Sequence, residues 1–357
     1  MAVRNRAIKT PENSFVRLEI HSRIKTRDGF PLTLTRRKPD SLVHGREPMI
    51  FVHGIGQDRR TWDLGYRGFA LDLASRGVDT WMLETRGLGL SRRNGSRLTR
   101  FLPYRWNFDT MVNYDLKRTV EYVLDETGAH KVFLCGHSLG GMMTYAFVPG
   151  HQKLIRGFIT LGGPTILGKG SLPMKVPFWA NRPLLLKGRL TYAELLPFFP
   201  LGLVGRVALM GFPLMQSPVE SLVPLHPWHF RNVFPRDIRA ILRKGFGNVA
   251  PGIVKQMTIW ATEGIFVSAD RKINYLERMK KIRVPSLFFT GDWDRLAPLA
   301  SVKPGFDLIP FKDKTLNHLD RKKTGVHWGH LDLTMGSNAP KWVWKKAGDW
   351  LLERATR

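Results

Sequence analysis

A hydroxyl, an imidazole and a carboxylate together carry out acyl transfer when the base takes the hydroxyl proton and the acid orients the base. The hydroxyl is Ser138, at the apex of Gly136-His137-Ser138-Leu139-Gly140. A short apolar run, Val132 to Cys135, precedes this pentapeptide, and helix-forming residues from Met142 to Phe147 follow it. Strand, tight turn and helix in that order are the setting of a nucleophile elbow, where glycines flank a serine because side chains there would collide.

The carboxylate and the base are sought in loops at the carboxyl ends of later strands, the edge on which open parallel sheets build their sites. Asp294 follows the apolar strand Ser286 to Thr290 in the turn Gly291-Asp292-Trp293-Asp294. It is preferred over its neighbour Asp292 because a glycine turn brings the third residue back toward the elbow. Of three late histidines, His330 in Gly329-His330-Leu331-Asp332 sits after the last strand and before the terminal helix, the place a base must occupy. His327 comes too early, and His318 falls within the strand itself. Two backbone donors are needed for the oxyanion. Leu139 N–H follows the nucleophile at a helix start, where the dipole favours negative charge. Ile55 N–H lies in His53-Gly54-Ile55-Gly56, which ends the apolar strand Met49 to Val52 and whose glycines permit close approach. His53 reads as a residue that orients this loop.

These groups require a scaffold that alternates strand and helix. Ser14 to Thr35 reads as a hairpin of two half-buried strands around Arg27-Asp28-Gly29-Phe30. Met49 to Val52, Asp79 to Leu83, the elbow strand, Gly157 to Gly162, Val284 to Thr290 and a last strand near Asp313 to His318 follow, with helices over Phe69 to Arg76, Met111 to Thr127 and Pro340 to Arg354. Continuous apolar strands separated by helices predict an α/β fold with a mostly parallel sheet covered on both faces. Between Pro164 and about Lys281 the alternation stops, and this segment holds 12 of the 23 prolines. It is expected to be a helical cap, giving a core of 1–163 and 282–357 with the insertion 164–281 between. Leu195 to Met215 approaches the length and apolarity of a membrane span, but Pro197, Pro200, Pro213, Arg206 and three glycines favour short cap helices that line an apolar pocket or dip into lipid.

The order of these stretches resembles the α/β-hydrolase family, and within it the acid lipase branch and related bacterial serine hydrolases. The likeness rests on KTRDGFPLTLTR, FVHGIG, LASRGVDTWMLETRG, WNFDTMVNYDLKRTVEYVLDETG, GHSLGG, TGDWD and HLDLTMG, which cover most of the chain outside the cap. It implies an α/β-hydrolase fold with the triad Ser138, Asp294 and His330, the chain order that family uses, with Ile55 and Leu139 as oxyanion donors. It also implies ester hydrolysis through an acyl-enzyme without a cofactor or metal. The secreted lipases carry a signal peptide and usually a glutamine after the serine; this sequence shows neither, and its cap does not match theirs.

Composition bounds the rest. The 357 residues are 43% hydrophobic, enough for a full core. One cysteine excludes an internal disulfide, and Cys135, inside an apolar strand, reads as packing. With no secretory segment at MAVRNRAIKTPENSF, a cytoplasmic location, peripheral to a membrane at most, is expected. The 56 Lys plus Arg against 29 Asp plus Glu leave a formal charge of +27. The basic pairs are scattered (Arg36-Arg37, Arg59-Arg60, Arg92-Arg93, Lys280-Lys281, Lys322-Lys323, Lys345-Lys346), so a generally basic surface is expected and no dedicated nucleic-acid site. Arg59-Arg60 and Arg92-Arg93 follow strands at their catalytic ends and are expected to rim the pocket, drawing in an anionic membrane surface. The leading expectation is hydrolysis of a lipophilic ester. The alternatives are acyl transfer to an alcohol, for which His53 and Asp58 have a His-x4-Asp spacing, and a non-catalytic basic module binding lipid or nucleic acid.

Overall fold

The computed structural model describes residues 3–9, 15–41, 47–92, 104–181 and 195–355. Nine strands form one sheet: β1 (Val3–Lys9), β2 (Phe15–Lys25), β3 (Pro31–Pro39), β4 (Met49–Val52), β5 (Thr80–Glu84), β6 (Val132–His137), β7 (Ile155–Leu161), β8 (Ser286–Gly291) and β9 (Lys314–Leu319). Their spatial order is β1-β2-β3-β5-β4-β6-β7-β8-β9. The pairings from β5 through β9 are parallel, and β1, β2 and β3 add an antiparallel extension at one side. This is the fold expected from the sequence. β1 was not foreseen, because Val3–Lys9 is too basic to show a strand's apolar alternation, and its order comes from backbone pairing with β2.

Strand alternation sends side chains into two cores. Ile50, Val52, Trp81, Leu83 and Leu134 join a cluster under the helical run from Phe108 to Thr127 and the helix Leu139–His151. Met49, Phe51, Met82, Phe133 and Cys135 point the other way, toward the helix Phe69–Ser75 and the terminal helix Lys345–Ala355. Cys135 is therefore packing, and burial pushes its thiol up. The helix predicted over Met111 to Thr127 is present, with a π turn over Met111–Leu116 and a left-handed Gly128 ending it.

The hairpin expectation needs one correction. β3 is largely buried rather than half-buried, because it is paired on both sides, to β2 and to β5. Arg36 and Arg37, read from sequence as a surface pair, are consequently interior, where guanidinium groups persist only when matched by charge. Arg37 Nε donates to Asp63 at 2.7 Å, and Arg36 Nη2 to Asp79 at 2.6 Å.

Between β7 and β8 the described residues form helices without a ladder strand, among them Leu172–Ala180, Leu201–Ala208, Phe212–Met215, Pro235–Lys244 and Pro251–Glu263. Pro235 and Pro251 stand at first helical positions, where a missing N–H costs nothing. The helix Pro251–Glu263 packs into the main core through Ile253, Met257 and Trp260. Phe212, Trp228, Ile238 and Ile241 instead build a separate core that incorporates Leu331 and Met335. Among the described residues no helix is long and apolar enough to cross a membrane.

Candidate active site

Ser138 adopts φ 54° and ψ −119°, a strained conformation for a residue with a side chain. The turn is held by Ser138 N–H donating to Leu161 O at 3.0 Å. Its glycines are obligatory on steric grounds: a Cβ on Gly136 would lie 2.4 Å from Gly140 O, and one on Gly140 would lie 2.1 Å from Val52 O. The elbow is therefore pressed against the end of β4, which also supplies the His53–Gly56 loop. Ser138 Oγ itself makes no hydrogen bond among the described residues.

Asp294 and His330 are joined directly, His330 Nδ1 to Asp294 Oδ2 at 2.8 Å, both almost fully buried. The other carboxylate oxygen, Oδ1, accepts from Leu296 N–H at 2.9 Å and Ala297 N–H at 2.7 Å. Because a carboxylate only accepts, the imidazole proton sits on Nδ1 and the lone pair on Nε2. Asp292 is committed elsewhere, accepting from His327 Nδ1 at 2.6 Å and Trp328 N–H at 2.9 Å. His318 lies in β9 and meets Thr290 Oγ1 at 3.0 Å. Of the sequence candidates, then, Asp294 and His330 come together, while Asp292, His318 and His327 belong to neighbouring contacts.

His137 carries the link to the elbow. Its ring lies 4.6 Å from the His330 ring, and its Nε2 lies 3.2 Å from His330 O. Its Nδ1 meets Gln57 Oε1 at 3.1 Å, and that oxygen also accepts from Gly54 N–H at 3.0 Å. Burial, reinforced by His330, holds the His137 pKa well below its ordinary value, so the ring is neutral. With one N–H on its neutral ring, His137 donates from Nε2 to His330 O and so ties the elbow to the His330 loop.

The His330 loop is also gripped by the segment between β7 and β8. Leu331 N–H donates to Pro227 O at 2.7 Å, and His229 N–H donates to Asp332 Oδ1 at 3.2 Å. On the opposite side Gly162, at φ 55°, leaves room for the pair: a Cβ there would be 3.0 Å from Asp294 Oδ2 and 3.1 Å from His330 Nδ1.

Ile55 and Leu139 line one narrow crevice together with Leu88, Trp106, Met111 and Ile253. Leu139 opens the helix Leu139–His151, so its N–H has no intrahelical acceptor. Beside them His53 is buried and neutral, its pKa lowered to about 4 by desolvation. It accepts Thr85 N–H at Nε2 and donates from Nδ1 to Gly54 O at 2.8 Å, the loop-orienting part expected of it. Asp58 caps the short helix Arg59–Thr61 by accepting Arg60 N–H. Both members of the His-x4-Asp spacing thus serve the loop's own structure. Arg86, another wall of the crevice, spans Asp115 and Asp28 and so fixes the loop after β5.

Sequence reasoning passed over His137, Gln57, Gly162 and Arg86. The only local signal was the pair Gly162-Gly163 at a strand end; the others are ordinary residues until the chain is folded. Of the expected rim arginines, Arg60 is tied to Asp58 and to Lys244 O at 2.9 Å, Arg59 is half-buried, and Arg92 is exposed. Arg93 lies outside the described residues.

Comparisons with known proteins bear on the family and the fold. A family model described as alpha/beta hydrolase fold matches residues 47–333. The chain is 30% identical to human lysosomal acid lipase/cholesteryl ester hydrolase over 149 residues, 39% of this chain and 37% of that protein. It is 32% identical to human lipase member N over 154 residues, 40% of this chain and 38% of that one. The chain thus spans less than two fifths of the length of these relatives. Among solved structures, a putative lipase from Sulfolobus solfataricus superposes with a TM-score of 0.61 at 15% identity, covering 99% of each chain. A monoacylglycerol lipase from Paleococcus ferrophilus gives 0.58 at 15% identity, covering 90% of this chain and 99% of that one. At such identities these two likenesses speak for the fold.

Proposed function

We propose that this chain, which belongs to the α/β-hydrolase family, hydrolyses carboxylic esters of lipophilic substrates through an acyl-enzyme on Ser138. The observation that carries the reading is the buried Asp294–His330 pair, whose tautomer leaves Nε2 basic, tied through His137 to a strained serine turn. In the reaction His330 Nε2 takes the Ser138 proton as Oγ attacks the ester carbonyl, and Asp294 stabilises the resulting imidazolium. Ile55 and Leu139 N–H groups receive the oxyanion. Collapse expels the alcohol, which leaves with the proton from His330. Water, deprotonated by the same imidazole, then attacks the acyl-enzyme and releases the acid and Ser138. The crevice beside these donors has apolar walls, Leu88, Met111 and Ile253.

The reading includes a place of work, an anionic membrane surface. Among the described residues, thirteen of the fifteen exposed large hydrophobic side chains fall between Leu172 and Leu222, including Leu203, Val204, Val207 and Met210. In that span the one acid among the described residues, Glu220, is 2% exposed, whereas Arg206 is exposed. Exposed apolar side chains beside an exposed cation suit an interface with anionic lipid. With no internal disulfide to form, the chain suits the cytoplasmic face.

Replacing Ser138 with alanine is expected to abolish p-nitrophenyl ester turnover and fluorophosphonate labelling while leaving the melting transition in place. Turnover that survives the substitution would refute the assignment.

A further inference from the structure

Asp294 follows β8 and His330 follows β9, so the acid and the base stand on separate loops. Their 2.8 Å contact persists only while both loops keep one spacing. A single stretch between β7 and β8, residues 217–232, reaches them both.

Its hold on the base loop has several parts besides Leu331 N–H to Pro227 O. His229 N–H donates to Asp332 Oδ1, Asn232 Nδ2 donates to His327 O at 3.2 Å, and Asn232 O accepts from Ser337 N–H at 2.7 Å. Its hold on the acid turn runs through Arg295, the neighbour of Asp294. Arg295 Nη1 donates to Val223 O at 2.8 Å and Nη2 to Ser221 O at 3.0 Å, two carbonyls at the carboxyl end of the short helix Pro218–Leu222. The guanidinium lies over the Trp293 ring at 4.9 Å. A planar fork engages two acceptors at once, and the carboxyl end of a helix favours a cation. The stretch is also closed on itself, because the buried Glu220 carboxyl group accepts Phe230 N–H at 2.8 Å and so joins the part that Arg295 holds to the part that holds the base loop. On its other side the acid turn has a second fixture, Ser171 Oγ donating to Arg295 O at 2.6 Å, which remains when the guanidinium is removed.

We propose that Arg295 is a positioning residue: its fork onto Ser221 O and Val223 O fastens the Asp294 turn to the stretch that grips the His330 loop, and so sets the distance between acid and base. Arg295 acts through the backbone of that stretch and on no reacting atom. The inference rests on the ester hydrolase reading, which gives the pair its work.

The test replaces Arg295 by methionine, which keeps an unbranched stem over Trp293 and removes both donors. For p-nitrophenyl butyrate, kcat is expected to fall about tenfold while KM stays within about twofold, because displacement of the pair costs rate and no substrate contact is lost. Arg295→Lys, able to reach one carbonyl but not to fork, is expected to recover part of the loss. Arg231→Met is the control, since Arg231 is exposed on the same stretch with its guanidinium over Phe230 at 5.3 Å, and it should change nothing. A readout without turnover comes from proton NMR in the Ser138→Ala background, through the low-field resonance of the His330 Nδ1 proton held by the Asp294 carboxylate. It is expected in the parent and in Arg231→Met, and displaced or lost in Arg295→Met. Melting curves check that each variant folds; should Arg295→Met not fold, Arg295→Lys carries both readouts. A kcat within about twofold of wild type, a kcat loss with the resonance unmoved, a displaced resonance without kcat loss, a parent spectrum lacking the resonance, or an equal effect of Arg231→Met would each overturn the inference. Turnover persisting in Ser138→Ala would instead sink the hydrolase reading while the resonance still reports on the pair, so the two failures are separate.

Discussion

Asparagine at position 294 is the sharpest probe of the proposed relay, because the structure dictates how the new amide must lie. Asp294 Oδ1 accepts two backbone N–H groups, from Leu296 at 2.9 Å and Ala297 at 2.7 Å. An amide nitrogen in that position would face two donors, so the asparagine keeps its oxygen there and turns its NH2 toward His330 Nδ1. The imidazole must then accept at Nδ1 and carry its proton on Nε2, where it can no longer take one from Ser138. In a serine protease the same exchange lowers kcat by about 10⁴. That corresponds to roughly 5 kcal/mol of lost transition-state stabilisation. The fold should tolerate the change, since both backbone donors remain satisfied and a hydrogen bond to His330 persists. Steady-state hydrolysis of p-nitrophenyl butyrate, with urea unfolding as the control for folding, measures both halves. Asp292→Asn is the internal comparison: Asp292 serves His327 and Trp328 N–H, so its variant should stay within about tenfold of the wild type. An Asp294→Asn enzyme within tenfold of wild type, or an Asp292→Asn enzyme equally disabled, would refute the reasoning.

Three further outcomes follow from other parts of the molecule. Gly162→Ala places a methyl 3.0 Å from Asp294 Oδ2 and 3.1 Å from His330 Nδ1 at a left-handed φ, so kcat/KM for p-nitrophenyl butyrate should fall by about 10²-fold through displacement of the pair; wild-type activity would contradict this. Burial, and secondarily Asp58, push the Glu84 carboxyl up to about 7 from 4.5. The folded state therefore binds this proton more tightly than the unfolded chain, so the contribution to stability is complete below pH 4.5 and is lost as pH rises through 7. The change is on the order of 3 kcal/mol, and Glu84→Gln should flatten the urea midpoint between pH 5 and 8; an unchanged pH profile would argue against it. Met210→Asp with Leu214→Asp puts two charges on residues that are 83% and 63% exposed, and partitioning onto phosphatidylglycerol vesicles should drop by about tenfold, whereas undiminished partitioning would remove the membrane from the account.

Much of the scaffold was legible because its signals are local. The apolar runs Met49–Val52 and 132–135 are buried throughout, as strands covered on both faces must be, and Gly136 marked the elbow through a steric demand made within five residues, against Gly140 O. β1 was not legible, since its order comes from pairing with β2 and not from its own pattern. Arg36 and Arg37 misled for a related reason. Basic residues predict solvent unless a carboxylate waits in the interior, and Asp79 and Asp63 lie 43 and 26 positions away.

The same division holds at the site. Taken by itself, the sequence determined which side chains could do the chemistry, because a serine elbow, a glycine turn bearing carboxylates and a late histidine loop each declare themselves within a few residues. Only the tertiary structure decided which carboxylate meets which histidine, since Asp292 and Asp294 share one turn and differ only in the direction they face. It also decided what surrounds the pair: His137 bridging to His330 O across 193 positions, Gly162 standing clear of Asp294, and Pro227 holding Leu331. Such contacts join parts of the chain far apart in order, and no local pattern of residues encodes a distance in space.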